Sequence, residues 1–186
     1  MGFGIFWYRC CLYNWEEGES LLACMLNDWS NFFLGELGAA AALAGLLFVA
    51  VSVNQARILQ LGRMADRGLE ALAMLFLTMV VASLPLIPNQ PLRLLGAEIL
   101  AASILTLVMI VSLERAYLRL IEPAHRRHAT QMVMFSRLAI LTIASAGCIV
   151  VCRNDLTGIY LLPPGIFMTF AATGANAWVL LIEINR

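Results

Sequence analysis

The chain reads as an all-α, multi-pass membrane protein, a bundle of five membrane-spanning helices. Five apolar stretches, near Phe32–Val53, Leu69–Ile87, Leu94–Leu113, Met132–Val151 and Ile159–Ile184, take up nearly all of the 186 residues. Each reaches the roughly 20 mainly apolar residues that a helix needs to cross a bilayer. The composition agrees, at 61% hydrophobic and 13% charged, where soluble domains carry about 25% charged residues. The connections are short and leave no room for a separate catalytic or sensory domain, so residues 28–186 are expected to form one transmembrane domain.

Orientation follows from the basic residues, all of which are arginines. Arg57, Arg63 and Arg67 lie between the first and second spans, Arg115, Arg119, Arg126 and Arg127 between the third and fourth, and Arg186 ends the chain. The opposite side has Arg9, Arg93 and Arg153, and Arg137 falls inside the fourth span. Eight against three is a positive-inside bias that predicts the N-terminus outside and the C-terminus in the cytoplasm. Net charge is zero, and no concentrated basic surface exists for a nucleic-acid partner. The surrounding partner is the lipid bilayer.

Residues 1–27 differ from the rest, with Trp7, Tyr8, Tyr13 and Trp15, three cysteines, and Glu16, Glu17 and Glu19. They lack the basic start, apolar core and small-residue cleavage site of a secretory signal. Two readings stand: an aromatic extension at the membrane interface, or a disordered lead before a natural start at Met25. Asp28 or Ser30 is the expected N-cap of the first helix. Cys10, Cys11 and Cys24, with Cys148 and Cys152 in the fourth span, fall on the predicted outer side. A disulfide from the N-terminal segment to Cys152 is one reading; small packing residues is another. Neither histidines nor further thiols complete a metal site, and no cofactor is expected.

The first span carries small residues at four-residue spacing, Gly38 with Ala42 and Ala41 with Gly45. Helices in lipid associate through close van der Waals approach, which small residues permit. The first helix is therefore expected to be central, packed on its neighbours or on a second copy. Pro85 to Pro91 forms an outer turn rich in breakers, and Glu122 to His128 a polar cytoplasmic loop. Arg153 to Gly158 makes a second outer turn. Residues 159–162 are expected to be an extended lead-in, with the fifth helix starting near Pro163, where a missing N–H costs nothing.

Ionisable groups inside a span are costly and usually face the bundle interior. Glu36 and Glu98 lie about one turn in from the outer side, and Arg137 about a turn and a half from the cytoplasmic side. On the fifth span Thr169, Thr173, Asn176 and Glu183 share one face. Asn54, Glu70 and Glu114 end the first, begin the second and end the third span at the same depth, so Arg137 is expected to pair with Glu183, Glu70 or Glu114. A polar knot that fixes helix register explains this set. A wetted vestibule leading outward to Glu98 and Glu36 explains it too, since rings of glutamates build cation pores. Neither HExxH, nor a Gly-rich phosphate loop, nor CxxC occurs, and an enzyme is not expected.

The runs Gly38-Ala-Ala-Ala-Ala-Leu-Ala-Gly45-Leu-Leu-Phe48-Val-Ala-Val-Ser52-Val-Asn54, Arg67-Gly-Leu-Glu70-Ala-Leu and Asn176-Ala-Trp178-Val-Leu-Leu-Ile-Glu183-Ile resemble those of a group of small bacterial polytopic membrane proteins without an assigned activity. The resemblance covers most of the chain after about residue 28. It implies a bacterial origin, an inner-membrane location and residues 1–24 as an extension, and it supplies no catalytic residues. The functions that remain are a homo-oligomeric channel or pore-like assembly, an accessory subunit of a larger membrane complex or of lipid organisation, and a proton-coupled carrier using Glu183, Glu70 and Arg137.

Overall fold

The computed structural model describes residues 18–53, 63–120 and 126–184, with side chains over residues 29–53, 66–115 and 130–178. Among the described residues five α-helices follow one another: α1 Gly18–Val53, α2 Arg63–Ser83, α3 Leu92–Leu120, α4 Arg126–Arg153 and α5 Leu162–Ile184. All five are long and apolar enough to cross a membrane, and the described spans are Trp29–Val53, Asp66–Leu86, Leu92–Arg115, Thr130–Arg153 and Leu156–Trp178. The protein is thus a multi-pass helical membrane protein. Helix α1 begins at Gly18, so Asp28 and Ser30 sit inside it and do not cap it, because the chain continues helical hydrogen bonding through them. The expected extension accordingly includes helical residues 18–27; residues 1–17 fall outside the described set.

Helix α4 packs on α3 along one side and on α5 along the other, while α2 touches α1, α3 and α5. Four glycines permit this. A Cβ at Gly96 would lie 2.9 Å from the Gly147 carbonyl oxygen, and one at Gly147 would lie 2.8 Å from the Gly96 carbonyl oxygen. Gly158 presses on Ala146 and Val150, and Gly165 on Ile143, so α4 is approached closely from both sides. The buried core fills between these contacts with Met74, Ile99, Ile110, Ile140, Ile143 and Ile166.

This corrects the expectation for the first helix. Only 11% of the α1 span is buried, against 56% for α2 and 50% for α5. Its contact face is Phe33, Ala40 and Leu47, whereas Gly38, Ala42 and Gly45 are exposed on the opposite side. Helix α1 is peripheral because its apolar side chains, not its glycines, meet α2. At the other end an aromatic cluster holds it, with the Trp29 ring 5.3 Å from Tyr160 and Phe32 6.4 Å from Phe167.

Both turns at this end use an asparagine in the left-handed region, Asn89 (φ 56°) and Asn154 (φ 52°). Asn tolerates that conformation better than other non-glycine residues, and the Asn154 N–H donates to the Val150 carbonyl at 3.0 Å, closing α4. Asp155 then accepts from the Thr157 N–H and starts a 3-10 segment, Leu156–Leu161. The expected extended lead-in is therefore helical up to α5, which opens at Leu162 rather than Pro163.

Candidate functional site

Two features stand out against the apolar bundle: a buried polar cluster at the arginine-rich end, and a bare face on α1. The cluster is built by consecutive residues of α4. Ser136 Oγ donates to Glu70 Oε1 on α2 at 2.8 Å. Arg137 Nε donates to Glu114 Oε2 on α3 at 2.7 Å, and its Nη2 lies 2.6 Å from the same oxygen. Glu70 and Glu114 are 8% and 2% exposed. The side chain of Arg137 is 37% exposed, so the guanidinium reaches the surface while its partner does not. Asn176 from α5 and Arg67 from α2 act on the Glu70 carboxyl as well.

Among the described residues, Arg137 pairs with Glu114, one of its three expected partners, and not with Glu70. Glu183 and Asn54 lie outside the residues whose side chains are described. Ser136, which ties Glu70 to α4, was not singled out from sequence; its position one residue before Arg137 on the fourth span was the available signal.

The fifth-span stripe is real over its described part. Thr169, Thr173 and Asn176 are all buried, and Thr169 Oγ1 lies 2.9 Å from Thr78 Oγ1 on α2. Thr173 Oγ1, one turn on, is buried without a partner. Helices α2 and α5 run antiparallel, so Thr78 meets Thr169 and Glu70 meets Asn176. The stripe thus forms a polar column from mid-span to the cluster.

The two outer glutamates do not join this column. Glu98 on α3 accepts a hydrogen bond from Gln90 Nε2 in the preceding turn. Glu36 is half-buried on α1. Helices α1 and α3 pack on α2 and belong to different parts of the bundle, so one chain does not bring Glu36 and Glu98 together. Cys148 and Cys152 are free and exposed. Among the described residues no group of three or more His, Cys, Asp or Glu side chains is placed to hold a metal.

The bare face of α1 is more regular than its four-residue spacings suggested. Asn31, Gly35, Gly38, Ala42, Gly45, Val49 and Ser52 follow one another at alternating steps of four and three, and all are exposed. That is a heptad seam running the length of the span. Among the described residues nothing lies within 4 Å of a Cβ added at Gly35, Gly38 or Gly45. Comparison with known protein families, with curated proteins and with solved structures gives no match for this chain.

Proposed function

We propose that the protein is a non-catalytic membrane subunit that forms a homo-oligomer through the α1 seam. The observation that supports this is a line of seven exposed residues, six of them small or polar and one, Val49, aliphatic, along a helix whose span is only 11% buried. A lipid-facing surface gains nothing from glycine, whereas an identical helix can approach closely along it. A 3.5-residue repeat suits the shallow left-handed crossing of membrane bundles. Two copies pairing seam to seam satisfy a two-fold axis, since the same patch serves both. The reading includes a bacterial inner-membrane location, with the arginine-rich end in the cytoplasm.

The test is native mass spectrometry of the full chain in nanodiscs, with Gly38→Leu and Gly45→Leu. Both sites face open space, so the monomer keeps its fold, and oligomer is expected to fall to monomer. A Leu105→Ala control on the outward face of α3 should leave assembly unchanged. Oligomer that ignores both glycine variants overturns the seam. A wild type that is monomeric alone, yet loses a co-purifying larger complex on Gly38→Leu, favours the accessory reading. An ion-conducting form of the oligomer would draw on Glu36, which α1 carries, and predicts that Glu36→Gln changes flux while leaving assembly intact.

A further inference from the structure

The ion pair between α3 and α4 is one-sided. Arg137 holds Glu114 with Nε at 2.7 Å and Nη2 at 2.6 Å, both on the single oxygen Oε2. The Glu114 side chain is 1% exposed and that of Arg137 is 37% exposed, so the pair turns its positive end outward. The next residue, Arg115, is exposed and is the last of the α3 span, Leu92–Arg115. Because it reaches Glu114, the Arg137 guanidinium lies at that same end, although Arg137 itself is about two turns into the α4 span, Thr130–Arg153. Helical side chains lean toward the N-terminus of their helix, which for α4 is this end, so the long stem carries the charge back toward the membrane surface.

The surroundings of the two arginines select the occupant. Inward from Arg137 on α4, Leu141 follows one turn along the same face with Leu138 beside it. Inward from Arg115 on α3, Val108 and Leu105 follow along one face. All four are exposed. The carboxyls of the cluster, Glu114 and Glu70, are 2% and 8% exposed and do not line this rim. A ligand here meets two cations at the edge of the span and two apolar helix faces that run from them into the membrane. That is the chemistry of a phospholipid with a negative headgroup: its phosphate oxygens accept hydrogen bonds from guanidinium N–H groups, and its acyl chains cover the exposed leucines and valine. A free phosphate ion would use the rim and leave the apolar faces untouched.

We propose that Arg137 and Arg115 bind the phosphate of one anionic phospholipid at the arginine-rich end of α3 and α4, with its acyl chains along the outer faces of the two helices. Glu114 takes the Nε–Nη2 edge of the Arg137 guanidinium, which fixes its plane and leaves Nη1 for the phosphate. Arg115 adds a second cation from the neighbouring helix. Basic pockets between spans at one membrane surface hold such headgroups in this way. No residue of α1 takes part, so the site stands or falls separately from the seam and the assembly.

The test is native mass spectrometry of the full chain released from nanodiscs made of equal parts phosphatidylglycerol and phosphatidylcholine. The expected result is one phosphatidylglycerol retained per chain in preference to phosphatidylcholine. Arg137→Gln and Arg115→Gln should each lower that preference about fivefold, the order expected for one basic group at an anionic membrane surface. Arg115→Gln keeps the Arg137–Glu114 pair, so it reads lipid binding without disturbing the bundle. Arg93→Gln, an exposed arginine at the other end of α3, should leave the preference unchanged. Equal retention of the two lipids overturns the proposal, as does a loss in Arg93→Gln as large as in Arg115→Gln. If Arg137→Gln does not fold, an undiminished preference in Arg115→Gln overturns it alone. Inorganic phosphate retained from the buffer in place of the lipid overturns the choice of ligand.

Discussion

Gly147→Ala tests whether the α3–α4 contact sets the bundle. The added methyl carbon would lie 2.8 Å from the Gly96 carbonyl oxygen, 2.9 Å from the Leu100 nitrogen and 3.1 Å from Ile99 Cγ2. Two of those three atoms are backbone and cannot turn away, so α3 and α4 must move apart along a stretch lined by Leu95, Ile99, Ile143, Ala146 and Val150. Overpacking of this kind costs about 1–3 kcal/mol, which is about a 5- to 150-fold shift in the folding equilibrium at ~1.4 kcal/mol per tenfold. Gly38→Ala is the matched control, since its Cβ meets nothing within 4 Å, and it should leave monomer stability within ~0.5 kcal/mol. Reversible unfolding in mixed micelles measures both. Equal stabilities for the two variants would refute the claim that Gly147 is where α3 and α4 are held closest.

Arg137→Leu should lose more stability than Glu114→Gln: the first leaves a carboxylate with a 1% exposed side chain uncompensated, the second a guanidinium 37% exposed. Magnitudes up to about 3–5 kcal/mol for the former and about 1–3 kcal/mol for the latter are expected in the same unfolding assay, and equal losses would contradict the exposure argument. In a background lacking Cys10, Cys11 and Cys24, a membrane-impermeant maleimide added from outside should label Cys152, which is exposed at the end of α4; labelling only after the membrane is opened would reverse the orientation. The Thr157 hydroxyl and N–H hold the Asp155 carboxyl below the ordinary aspartate range. Its cap is therefore fully present above that range and fails as pH falls through the lowered value. Amide exchange across Leu156–Leu161 should speed up in that acid window and be fast at every pH in Asp155→Ala.

The five spans were legible because membrane crossing is a requirement on length and composition, both of which are local. The polar stripe Thr169, Thr173 and Asn176 was legible for the same kind of reason: helical periodicity fixes which residues share a face, and polar atoms in lipid must turn inward. Partner choice was not. Arg137 had three carboxylates at its depth, and only the docking of α4 against both α2 and α3 gives Glu114 to Arg137 and Glu70 to Ser136.

The glycines show the division most clearly. A run rich in glycine and alanine pointed to the first helix as the centre of packing, yet the closest approaches use isolated glycines, Gly96, Gly147, Gly158 and Gly165. Spacing reports that a helix could be approached closely along a face, and it says nothing of whether another helix of the same chain arrives there. The sequence by itself determined that this protein carries five stretches long and apolar enough to cross a membrane and which faces of its helices can bear polar atoms. Only the tertiary structure decided that α2 touches three other helices while α4 packs between α3 and α5, that α1 stands at the periphery with its small-residue seam bare among the described residues, and that Arg137 holds Glu114 while Ser136 holds Glu70. Those outcomes depend on contacts between residues far apart in the chain, which local periodicity does not encode.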